Sequence, residues 1–144
     1  MLQGIDNKNN NKEHLMRHLS DRFIAAVRLC TGSGPVKQRL TDAWLTQLDE
    51  IEPGELPTHL RAEFASLRQA MYRYKPMPQE TGPQASIRKM SASQATRYKA
   101  LIVRMLGEIL RIKYAIQKRG PDTTKNSKLD TEIETSLEAD HLLN

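Results

Sequence analysis

Apolar residues recur at helical spacing over most of the chain, and the longest such run, Ser91 to Gly120, sets the scale for the rest. Within it Ala95, Tyr98, Ile102, Met105, Ile109, Ile112 and Ile116 step by three and four, a seam on one helix face. Val103, Leu106 and Leu110 widen that seam into an arc, which suits a helix packed against several partners. Ser91 and Gln94 form a Ser-x-x-Gln capping box, whose side chains satisfy orphaned backbone donors at a helix start. Gly120 and Pro121 stop the helix, and Lys118 and Arg119 place positive charge at the negative end of its dipole. At about 1.5 Å of rise per residue, the helix is roughly 40 Å long.

Three shorter helices are predicted upstream. From Lys12 to Thr31, Leu15, Leu19, Phe23, Ala26, Val27 and Cys30 follow helical spacing, with Met16 and Ile24 at the edges, until Gly32 and Gly34 interrupt it. Pro35 suits a first helical position, so a second helix runs to Ile51 and buries Val36, Leu40, Ala43, Trp44, Leu48 and Ile51. After the turn Glu52-Pro53-Gly54-Glu55, a third helix starts at Pro57 and continues to about Tyr74, with its stripe at Leu60, Phe64, Leu67, Met71 and Tyr74. The prolines and glycine between Lys75 and Pro83 predict a loop over 75–85, and Ser86 a single capped turn before the long helix.

No alternating run is bounded by turn residues, so no hairpin is expected. The short connections at 31–35 and 52–56 imply antiparallel neighbours. The pattern therefore predicts an all-α chain: a four-helix antiparallel bundle over residues 12–119 with a long central fourth helix. The Asn-rich residues 1–11 lack periodicity and are expected to be disordered. Residues 120–144 read as a polar linker followed by an acidic amphipathic tail, where Leu129, Ile133, Leu137 and Leu142 stand among five acidic groups. Alone, that tail would be a marginal helix.

Charge changes the picture more than composition does. The net charge of +5 over 144 residues divides unevenly. Residues 1–60 hold seven basic and eight acidic groups, 61–119 hold thirteen and three, and 120–144 hold two and six, or −1, +10 and −4. Such block asymmetry suits a nucleic-acid surface or an electrostatically docked tail. On the long helix Arg97, Arg104, Arg111 and Lys118 recur every seven residues as a nearly straight basic row. Arg61 and Arg68 repeat that interval on the third helix, and Arg88 and Lys89 would extend the face between them. The simplest explanation of the row is a solvated edge, because long cationic side chains cover apolar surface with their stems while their heads stay wet.

Candidate chemistry is thin. His14 and His18 stand one helical turn apart, but the position after the first holds Leu15 where a zincin needs glutamate, so no metal site is expected. Cys30, the one cysteine, falls on an apolar face and reads as a buried structural thiol. It leaves no disulfide framework, which points to a reducing, cytoplasmic setting. MLQGIDNKNNNK lacks the apolar core of a signal peptide. Thr31-Gly32-Ser33-Gly34-Pro35 lacks the Gly-Lys-Ser/Thr ending of a phosphate loop, so neither a nucleotide cofactor nor an enzyme is indicated. Charges interrupt the apolar run of the long helix, so no membrane span is expected. Ser93-Gln94-Ala95-Thr96-Arg97-Tyr98 looks like the start of a recognition helix, yet a Pro- and Gly-broken loop with at most one turn of helix precedes it.

The expectation is a non-catalytic helical module whose basic face, Arg61, Arg68, Arg88, Lys89, Arg97, Arg104, Arg111 and Lys118, engages an anionic partner, foremost nucleic acid with little sequence choice. The alternative is an adaptor that takes an acidic protein segment or its own tail. The apolar face of the long helix could also pair with a second copy of the chain.

Overall fold

The predicted stripes meet around Phe64. Its ring centre lies 5.8 Å from that of Trp44, nearly stacked, and 6.1 Å from that of Phe23, so one aromatic contact chain joins three segments. The computed structural model describes residues 2–118, with side chains from Asn7 onward. Five α-helices account for most of this span: α1 (Leu2–Cys30), α2 (Val36–Ala43), α3 (Thr58–Met71), α4 (Gly82–Lys89) and α5 (Ala92–Lys118). A π-helical turn, Trp44–Leu48, continues α2, and a 3₁₀ turn covers Pro53–Glu55. No strand occurs among the described residues, so the chain is all-α. The predicted linker and acidic tail, 120–144, lie outside the described residues, as does the Gly120 helix stop.

α5 lies chiefly along α1 and also touches α2; α1 packs on α2 and the π turn. α3 packs on the 3₁₀ turn and α4, and α4 reaches back to α2. The buried set is close to the sequence pattern: Met16, Leu19, Phe23, Ala26 and Cys30 from α1, Leu60, Phe64, Leu67 and Met71 from α3, and Ala95, Ile102, Met105 and Ile109 from α5. Burial pushes the Cys30 thiol above its ordinary value, as expected of a cysteine that serves as a small hydrophobe.

Four expectations are corrected. The chain has a fifth helix, because residues 82–89 are helical where a loop and a single turn are predicted. Its cap is Thr81 and not Ser86: Gln84 N–H donates to Thr81 Oγ1 at 3.2 Å and Thr81 N–H donates to Gln84 Oε1 at 2.8 Å. Pro83 falls in the first turn, where a missing N–H costs nothing. Ser86 is buried and accepts a hydrogen bond from Tyr74 N–H at 3.1 Å.

Second, α1 begins at Leu2 and not at Lys12. Every described side chain from Asn7 to His14 is exposed, so this polar stretch is held by continuity with the packed half. Adding a residue to an existing helix gains a hydrogen bond without a new nucleus.

Third, α3 ends at Met71. Tyr74 leaves the stripe, because a residue preceding Pro76 disfavours the helical region and the helix unwinds before it.

Fourth, the apolar arc of α5 is narrower than predicted: Val103 and Leu110 are 43% and 39% exposed.

The second predicted helix is one rod to Leu48, but it widens at Trp44. Asp49 N–H closes the π turn on Trp44 O at 2.8 Å, and Trp44 Nε1 donates to Asp49 Oδ1 at 3.0 Å. The wider turn lets Leu40, Ala43, Trp44 and Leu48 all reach the core.

Candidate basic surface

The eight cations singled out from sequence do not form one face. Arg61 and Arg68 lie on the flank of α3 that faces the α2–α3 connection. Arg61 Nε donates to Leu56 O at 2.9 Å, and Arg68 Nη1 donates to Asp49 O and Ile51 O at 2.8 and 2.9 Å. Both close otherwise open carbonyls of the turn. The opposite flank of α3, about 140–180° away at 100° per residue, carries His59 and Glu63, and it is this flank that meets α5. Glu63 pairs with Arg104, and His59 Nε2 stands 3.3 Å from Glu108 Oε2. The two basic rows are therefore not aligned beside each other.

Arg104 and Arg111 are each neutralised locally, Arg104 by Glu63 and Arg111 by Glu108 at 2.8 Å. The Arg111 guanidinium, then His59, hold the Glu108 carboxyl below its ordinary range. Arg88 makes a forked pair with Glu80, at 3.0 and 3.2 Å, and Glu80 Oε1 also accepts from Met77 N–H at 3.2 Å. This fork pins the 75–81 loop onto α4 and lowers the Glu80 pKa. Lys37 Nζ then donates to Arg88 O at 2.8 Å, fastening the end of α4 to α2. Lys118 Nζ sits 4.9 Å from the centre of the Tyr114 ring.

Lys89 has a different setting. Its Nζ lies 4.7 Å from the centre of the Tyr74 ring, and Arg73 Cζ lies 5.5 Å from the same centre. Both are within the range at which a ring quadrupole attracts a cation. Gln94 and Tyr98, from the first turns of α5, line the same small hollow. Arg97 follows Gln94 by one helical turn and is exposed. Among the described residues none of Arg73, Lys75, Lys89 and Arg97 forms an ion pair with an acidic side chain. Residues 64–107 contain eight basic groups and one acidic group, Glu80, which Arg88 occupies. The focus of uncompensated charge is thus where the ends of α3 and α4 meet the start of α5. Arg73 and Tyr74 stand outside the heptad rows, and the signal in sequence that marks them is the long acid-poor stretch around them.

No group of three or more metal-ligating side chains comes together among the described residues. His14 and His18 are both exposed on α1. No described helix is long and apolar enough to cross a membrane. No protein family, curated protein or solved structure matches the chain.

Proposed function

We propose that the protein is a non-catalytic module of antiparallel helical neighbours that holds a polyanion, nucleic acid foremost, at the junction of α3, α4 and α5. The observation that carries this reading is the convergence of Arg73 and Lys89 on the Tyr74 ring, with Arg97 on the adjoining turn of α5 and, among the described residues, no ion pair between any of the three and an acidic side chain. Unpaired cations are free to displace counterions from phosphates, and a ring among them offers a surface for a base without choosing a sequence. The start of α5, joined to α4 through Met90 and Ser91, presents Ser93, Gln94, Thr96 and Arg97 as exposed side chains beside that cluster. Arg104, Arg111 and Arg88 are secondary, because their own carboxylates compete with phosphate.

Fluorescence anisotropy with single- and double-stranded DNA and RNA over a salt series tests the proposal. The expected result is binding that weakens steeply with salt, and a slope that becomes shallower by about 1 for each of Arg73, Lys89 and Arg97 replaced by alanine. Absence of binding at low salt, or binding unchanged in the triple variant, overturns it.

A further inference from the structure

The side of α5 turned away from the core carries a second apolar seam. Ala100, Val103, Gly107, Leu110 and Tyr114 step by three and four residues, the spacing of a helix-packing seam. All five are exposed, with Tyr114 at 59%, and beyond the helix's own adjacent backbone no described atom lies within 4 Å of where a side chain on Gly107 would begin. A lone exposed leucine needs no explanation, whereas a continuous seam on one helix face marks a place for another helix.

Charge decides which helix fits. α5 carries six basic groups and one acidic group, Glu108, a net +5. Lys99 and Lys113 border the seam on one side, and Arg104 and Arg111, paired with Glu63 and Glu108, on the other, so an antiparallel second copy of α5 would set lysine edge against lysine edge and supply no new carboxylate to either. Residues 129–143 of the same chain carry Asp130, Glu132, Glu134, Glu138 and Asp140 and no lysine or arginine, a net −5. Leu129, Ile133 and Leu137 stand four apart there, the apolar stripe of a helix.

Length agrees. Ten residues, 119–128, separate the end of α5 from this segment, more than the two to eight that ordinarily join antiparallel helices. As a helix, residues 129–143 would be about 22 Å long, and Val103 to Tyr114 spans about 17 Å. We propose that residues 129–143 of this chain dock as an acidic amphipathic helix, antiparallel to α5, on the Val103–Gly107–Leu110–Tyr114 seam. Docking removes the exposed apolar seam from water and places the five carboxylates beside the cations of α5. The proposal is independent of polyanion binding at Tyr74, which lies at the other end of α5.

Hydrogen exchange on the full chain tests it. Amides of 129–143 should exchange at least about tenfold more slowly than in an unfolded chain, as closed segments do. This protection should not depend on protein concentration, and it should vanish in Leu110→Asp. Leu137→Asp, which leaves residues 2–118 untouched, should remove it equally, so a folding defect in the first variant cannot mimic the result. Carbodiimide cross-linking should join Lys99 or Lys113 to a carboxylate of 129–143 within one monomer. Unprotected amides across 129–143, or protection that persists in both variants, overturns the proposal. Protection that grows with concentration also overturns it and assigns the seam to a second copy.

Discussion

Arg68 donates through Nη1 to the carbonyl oxygen of Asp49 at 2.8 Å, and the same nitrogen holds Ile51 O at 2.9 Å. A cation spaced on the sequence like a binding residue thus closes the end of the α2 rod, where carbonyls lack partners within the helix. Arg68→Ala should cost about 1.5–3 kcal/mol, the range for hydrogen bonds made by a charged group. Arg97→Ala, at a site without such bonds among the described residues, should leave stability within about 0.5 kcal/mol of the parent. Urea denaturation of the two variants checks the contrast.

Phe64 is fully buried between Trp44 and Phe23, so its loss opens a cavity at the crossing of α1, α3 and the π turn. Phe64→Ala should destabilise the fold by about 3–5 kcal/mol. Because Trp44 stacks on it at 5.8 Å, the same variant should alter the tryptophan emission of the native state. Thermal unfolding followed by fluorescence reads both effects.

Gly82 lies under the ring of Tyr72. A Cβ added there would be 2.7 Å from Tyr72 Cδ1, and the ring is held at its far end by a hydrogen bond from its hydroxyl to Asp49 Oδ1. Desolvation, and then that bond, push the Tyr72 phenol above its ordinary value. Gly82→Ala should therefore cost about 1–3 kcal/mol by overpacking, and much less in a Tyr72→Ala background. A double-mutant cycle in denaturant measures the coupling.

Acid should loosen the loop before the core. The Arg88 guanidinium, then Met77 N–H, hold Glu80 below its ordinary range, and Arg111, then His59, do the same for Glu108. A carboxyl whose folded pKa is depressed contributes stability that is complete above its unfolded pKa, about 4.3 for glutamate, and is lost as pH falls through the lower folded value. Stability should thus be flat above about pH 5 with respect to these groups and decline below pH 4. Glu80→Gln should flatten part of that decline, as read from urea midpoints between pH 3 and 6.

Helical periodicity by itself determined that the chain is all-α and which residues of α1, α3 and α5 face inward. Burial of an apolar stripe is a property of spacing, and Leu19, Phe23, Leu60, Phe64, Ile102 and Ile109 sit on unbroken stripes. The Ser91–Gln94 box marked the start of α5, with Ser91 N–H to Gln94 Oε1 at 3.0 Å, because a cap is a local interaction. The equivalent Thr81–Gln84 box was equally legible but was masked by the prolines on either side. What only the tertiary structure decided is how the charges are used. Arg61, Arg68, Arg88 and Arg104 look alike in sequence, yet each found a different carbonyl or carboxylate on another turn, loop or helix, whereas Arg111 pairs with Glu108 one turn away on α5 itself. Long cationic side chains reach several ångströms in any direction, so their partners follow from how the elements pack and not from heptad spacing. Packing likewise left Arg73 and Lys89 around Tyr74 with no carboxylate in ion-pair contact among the described residues, and turned Val103 and Leu110 away from the core into a seam of their own.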